Sequence, residues 1–301
     1  MDRRQFVKTL TVAGGITLIA PRIAEADGHN KEIIDSWKGC LVDLTLCIGC
    51  RLCEYACSNA NNREVKPLPS YEDQTVFDNF RRMTNNEYTV VNRFPNSKNP
   101  ESPIFVKTQC MHCNDAACLS ACIVKAFSKE DDGTVRYDPW KCMGCRYCMV
   151  ACPFQVPSYE YYNALAPQVR KCTLCHHIIS KQGGVTACAQ ICPQDAIVYG
   201  PREDLIELAH KRIDAEPGKY VNHVYGEHEV GGTSWLYISS EPFENLGFPT
   251  LDDRPMPSYT EPIQHGIFKH FIPQIALFTF LGAIMYQFRS RNQNTNSGEQ
   301  K

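Results

Sequence analysis

The sequence predicts an α+β chain of small cysteine-bound modules in tandem, with a C-terminal extension and a single C-terminal transmembrane helix. Three observations lead there. All but one of the 17 cysteines fall into four sets between Cys47 and Cys192. A turn signal, Asp131-Asp132-Gly133, separates two strand-like runs, 125–129 and 134–137, between two of those sets. Residues 271–288 are nearly all apolar. The reference set is Cys142, Cys145, Cys148 and Cys152 followed by Pro153. Its spacing, C-x2-C-x2-C-x3-C-P, is the bacterial run for [4Fe–4S] ligation. Three thiolates two residues apart come from one tight loop that can wrap a cube. Gly144 lets the backbone approach closely, and Pro153 turns the chain after the fourth thiol. Disulfide pairing or plain packing would not generate this spacing.

Taken in order, the chain opens on a segment resembling a twin-arginine export signal over residues 1–26. Arg3 and Arg4 precede Phe6, Val7 and Lys8, an apolar stretch follows, and Ala24-Glu25-Ala26 reads as a cleavage site. Export by that route carries folded proteins, so a cofactor can be inserted beforehand. The first set, Cys47, Cys50, Cys53 and Cys57, has the reference spacing, with Ser58 in place of the proline. Residues 58–104 read as a long polar connection with one strand at 88–91.

The second set is Cys110, Cys113, Cys118 and Cys122, with a wider third gap and Ile123 in place of the proline. The hairpin between it and the third set brings those two sets together. The fourth set is Cys172, Cys175, Cys188 and Cys192, followed by Pro193. Within it, Cys172, Cys175 and His176 match the C-x-x-C-H haem signature. Cys188 and Cys192 complete a cluster set instead, and that reading is preferred. His112 and His177 sit beside thiols and are expected at the surface or in hydrogen bonds, since each set already has four thiols. Cys40 is left over and reads as a small buried hydrophobe.

Beyond Cys192 the chain must fold by ordinary packing. Gly200-Pro201 opens a helix running to Asp214, with Leu205, Leu208, Ala209 and Ile213 on one face. Residues 235–238 read as a strand, and the proline-rich 241–262 as an extended surface segment. Residues 267–289 are expected to anchor the chain. The apolar core of that segment, 271–288, is eighteen residues, which as a helix rise about 27 Å against a hydrocarbon core of roughly 30 Å. Arg289 and Arg291 follow it, in accord with the positive-inside rule.

The formal charge of −2 over 301 residues shows no basic excess, which argues against a nucleic-acid partner. No nucleotide fingerprint and no nucleophile motif is present. The expectation is an electron wire without a substrate site of its own. A substrate-binding cluster would need an iron lacking a thiolate. A zinc-stabilised binding module is the alternative of another class. Arg51 and Arg146 lie inside cysteine loops, where they either tune a cluster or stand as solvated surface charges.

The four sets in this order resemble the four-cluster iron–sulfur subunits of membrane-bound respiratory oxidoreductases. The match covers residues 40–200. The leader, the stretch Gly231-Gly232-Thr233, the segments 242–246 and 251–253 and the apolar tail narrow it. They are similar to the periplasmic iron–sulfur subunits of hydrogenase-2-type uptake hydrogenases. This resemblance implies nested bacterial ferredoxin-like modules, an inner one at about 105–158 inside an outer one, then a docking extension at 201–265. By crossed ligation it implies four [4Fe–4S] clusters. They are held by Cys47, Cys50, Cys53 and Cys192; by Cys110, Cys113, Cys118 and Cys152; by Cys142, Cys145, Cys148 and Cys122; and by Cys172, Cys175, Cys188 and Cys57. The sequence alone leaves third-with-fourth pairing open. The implied partners are a periplasmic catalytic subunit, a NiFe hydrogenase first among them, and a multi-helix quinone-reactive membrane subunit. A molybdopterin oxidoreductase or a multihaem-cytochrome complex would suit the same role.

Overall fold

The computed structural model describes residues 37–261 and 277–288. The export signal and the start of the apolar tail lie outside them. Residues 37–257 belong to one compact unit, and 258–261 with 277–288 to another.

In the larger unit, β1 (Lys38–Asp43) is the centre of a three-stranded sheet. It pairs antiparallel with β8 (Ile197–Pro201) and parallel with β9 (Trp235–Ile238). β1 ends just before Cys47 and β8 begins just after Cys192, so their pairing joins the two ends of the cysteine-bearing segment. Helix α1 (Leu52–Ala60), which carries Cys53 and Cys57, packs on α5 (Ala187–Gln190), which carries Cys188. The middle sets repeat the plan. The β4 (Phe127–Lys129) and β5 (Val135–Tyr137) hairpin lies between Cys122 and Cys142, and α2 (Ala117–Ser120) packs on α3 (Tyr147–Ala151). Short strands β6 (Ser158–Tyr159) and β7 (Val169–Arg170) pair between the third and fourth sets, and α4 (His176–Gln182) follows Cys175.

The hairpin, the helix after Pro201 and the strand at 235–238 occur where the sequence places them. Helix α6 spans Arg202–Ala215 and buries Leu205, Ala209 and Ile213 against Leu41, Leu236 and Ile238. The region expected as a docking extension thus contributes β9 and α6 to the core of the cysteine-bearing unit. The connection 58–104 is more ordered than its polarity suggests. Its strand β2 (Thr89–Phe94) pairs along its full length with β3 (Ile104–Gln109). Three-ten turns at Leu68–Tyr71 and Thr75–Phe77 precede it.

The transmembrane helix is a correction. Among the described residues no helix is long and apolar enough to cross a membrane. The tail is helical at 277–288, about 18 Å at 1.5 Å per residue, well short of a roughly 30 Å core. Apolar composition alone suggested a span. The described helix covers only part of that stretch and includes Gly282 and Gln287.

Candidate metal centres

Each C-x2-C loop turns the same way. The residue just before the second cysteine has a positive φ in every set: Gly49 at 71°, His112 at 49°, Gly144 at 77° and Leu174 at 50°. The turn aims backbone N–H groups at sulfur. Gly144 and Leu174 each donate to the Sγ two residues earlier at 3.4 Å, and Gly49 does the same for Cys47. At Gly49 no side chain fits in any case, because a Cβ would stand 2.4 Å from the Phe105 ring. His112 and Leu174 make the turn without glycine, which the spacing alone did not signal.

The thiols fall into four neighbourhoods. Cys47, Cys50, Cys53 and Cys192 line one cavity together with Pro193. Burial raises the thiol of Cys113, and Cys152, Cys110 and Cys118 beside it add to the rise. Burial pushes Cys148 up to about 12, reinforced by Cys142, Cys122 and Cys145. Cys57 is raised by burial, then by Cys172, Cys188 and Cys175. Thiols crowded and buried in this way resist ionising unless positive charge lies among them. An iron–sulfur core supplies that charge and accepts four thiolates, one on each iron. The donor set fits: soft sulfur ligands with backbone N–H groups directed at them. Among the described residues no three His, Cys, Asp or Glu side chains are grouped closely enough to hold a single metal ion.

The neighbourhoods also touch in sequence. Cys53 is raised in part by Cys188, Cys172 by Cys110, and Cys118 by Cys148. These links run from the Cys47 group to the Cys172 group, on to the Cys110 group and then to the Cys142 group. Both ends reach the surface. Ile48 is exposed beside the first group. At the far end Cys145 is the one exposed thiol among the described residues, flanked by exposed Met143, Tyr147 and Val150.

The nearby polar residues have structural work. His112 is fully buried. It accepts from the Val135 N–H through Nδ1 (3.0 Å) and donates from Nε2 to the Cys172 carbonyl (3.1 Å). Burial and the nearby Lys171 and Lys129 hold it well below the ordinary histidine range, so it is a neutral strut between β5 and the fourth set. His177 is exposed and meets the Ala60 carbonyl. His176 contacts Asp132 at 2.9 Å. The thiols before it neighbour Cys57 and Cys188. Arg146 is exposed over Tyr159 and Tyr161. Arg51 is buried rather than solvated. It pairs with buried Glu54 at 3.1 Å and donates to the carbonyls of Ser70, Tyr71 and Asp73. Cys40 is fully buried, 3.6 Å from the Thr186 hydroxyl.

Sequence reasoning missed Lys107. It lies on β3, is 2% exposed, and lines the cavity of the Cys47 group.

Residues 102–202 match the family described as a 4Fe-4S dicluster domain. A protein of Nitratidesulfovibrio vulgaris is 44% identical over 86% of this chain and 70% of its own length. The hydrogenase-2 operon protein HybA of Escherichia coli O157:H7 is 33% identical over 99% of both chains. The iron–sulfur subunit of the nitrate-inducible formate dehydrogenase of Escherichia coli K12 is 31% identical over 82% of this chain and 83% of its own.

Proposed function

The chain belongs to the iron–sulfur electron-transfer subunits that carry a 4Fe–4S dicluster domain, and on that footing we propose that it relays electrons through four [4Fe–4S] clusters from a periplasmic catalytic subunit to a quinone-reactive membrane subunit. It is an electron-transfer subunit of the hydrogenase and formate dehydrogenase type and not a catalytic one. The ligand sets in this reading are Cys47, Cys50, Cys53 and Cys192; Cys172, Cys175, Cys188 and Cys57; Cys110, Cys113, Cys118 and Cys152; and Cys142, Cys145, Cys148 and Cys122. When bound, the cubes supply one-electron sites at potentials set by their surroundings.

This reading is supported by four thiol groups, each neighbouring the next, with exposed residues beside the first and the last. A conductor needs an entry, an exit and short intervals between. The exposed apolar rim at Met143, Tyr147 and Val150 suits a protein partner. The chain's residues hold the sites, direct N–H groups at sulfur and exclude water from the inner ones.

A NiFe hydrogenase is the catalytic partner this reading favours, because the likeness to the hydrogenase-2 operon protein runs the whole length of both chains. The likeness to a formate dehydrogenase subunit supports a molybdopterin enzyme as the second choice. Capture of the exported chain from detergent-solubilised membranes, followed by hydrogen-driven and formate-driven reduction of its clusters, separates the two.

Twin-arginine export is part of the proposal. Replacing Arg3 and Arg4 with Lys is expected to leave cluster-loaded protein in the cytoplasm, since an unfolded route would strip the cubes. Cell fractionation checks this. Cluster-loaded protein reaching the periplasm undiminished would refute the route.

A further inference from the structure

We propose that Lys107 is a positioning charge between two cluster sites, the Cys47 group and the Cys172 group, and that it raises the reduction potentials of both together. The proposal rests on the four-cluster reading above.

A fully buried lysine is rare unless it is paired, and its burial is unfavourable unless charge compensates it. Among the described residues no carboxylate pairs with Lys107. Its Nζ donates to the neutral Gln109 Oε1 at 2.6 Å and lies 4.1 Å from the centroid of the Trp235 ring. The head is held there by a small buried network. Gln109 donates to the Tyr237 hydroxyl at 2.5 Å, and that hydroxyl donates to the Lys107 carbonyl at 3.0 Å. These partners orient the ammonium without neutralising it.

The compensating charge comes from sulfur on two sides. Lys107 lines one cavity with Cys47, Cys50, Cys53 and Cys192. It lies within electrostatic reach of Cys57, Cys172 and Cys175 in the other group. Cys188, Cys53 and Cys172 all lie within electrostatic reach of the ammonium.

An apolar residue of similar length would meet the packing need with no charge to bury. A fixed cation does something else: it stabilises a site more when that site gains an electron from its redox partner. The Cys110 group has its own cations. Lys129 donates to the Cys113 carbonyl at 2.9 Å, and Lys171 to the Val135 carbonyl at 2.5 Å, both beside the Cys110 group. The thiols that Lys107 faces belong to two of the four groups.

The test is a redox titration of the anaerobically purified full chain, followed by electron paramagnetic resonance, with iron and sulfide counted in each variant. Lys107→Met is expected to shift two of the four midpoint potentials downward and leave the other two in place. Lys107→Arg keeps the charge and stays near wild type. Gln109→Glu sets a carboxylate against the ammonium and lowers the same two potentials. If Lys107→Met loses iron, the Gln109→Glu titration decides. No shift, an equal shift of all four, or the same shift in the Met and Arg variants would overturn the proposal. A wild-type chain short of four cubes would instead refute the four-cluster reading.

Discussion

Cys57→Ala is expected to remove one cube's worth of iron and sulfide and to bring donor-driven quinone reduction to background. Cys57 lies on α1 within the first cysteine set, yet the thiols beside it are Cys172, Cys188 and Cys175. Its loss therefore empties the site built from the far end of the segment. The Cys47 site, with Cys192 as its fourth thiol, stays loaded. That emptied site is second of the four in this reading, so the break is internal and no bypass remains. Double variants sharpen the test, because changes within one site do not add. Cys57→Ala with Cys172→Ala should cost the same single cube. Cys57→Ala with Cys53→Ala should cost two. The reverse pattern would mean that each set holds its own cube.

Glu54→Ala is expected to destabilise the protein by about 3–5 kcal/mol, the usual cost of leaving a buried charge without its partner. Both Glu54 oxygens are engaged. One takes Arg81 at 2.8 Å and the Val91 N–H at 2.7 Å. The other takes Arg51 at 3.1 Å. The Glu54 and Arg51 side chains are 5% and 2% exposed, so water cannot replace either partner. The loss frees the 70–73 turn from α1 and loosens the wall of the Cys47 site. Anaerobic denaturant unfolding of the loaded protein measures it. A loss below about 1 kcal/mol, as for an exposed pair, would contradict the account.

What was legible in the sequence follows from what local chemistry dictates. Cysteine spacing identifies the ligand loops because a cube forces its thiolates into one tight turn. The hairpin was visible in Asp131-Asp132-Gly133, and α6 in its apolar stripe behind Pro201. Three features were not legible because tertiary context decides them. Arg51 sits at a helix start with φ 61°, and only the turns at 68–77 bury it. Lys107 follows the apolar run Ile104-Phe105-Val106 on β3. Since β3 is covered on both faces, no exposed side exists to receive it. The tail's apolar run looked like a span, but among the described residues no helix is long and apolar enough to cross a membrane.

The central claim is a four-cube conductor, and one measurement bears on it most directly. Iron and acid-labile sulfide are counted on the anaerobically purified chain, and cluster signals are titrated by electron paramagnetic resonance on the same sample. The account predicts about sixteen of each per chain, as four cubes require, with four one-electron transitions. About eight of each with two transitions, or stoichiometric zinc in place of iron, would contradict it.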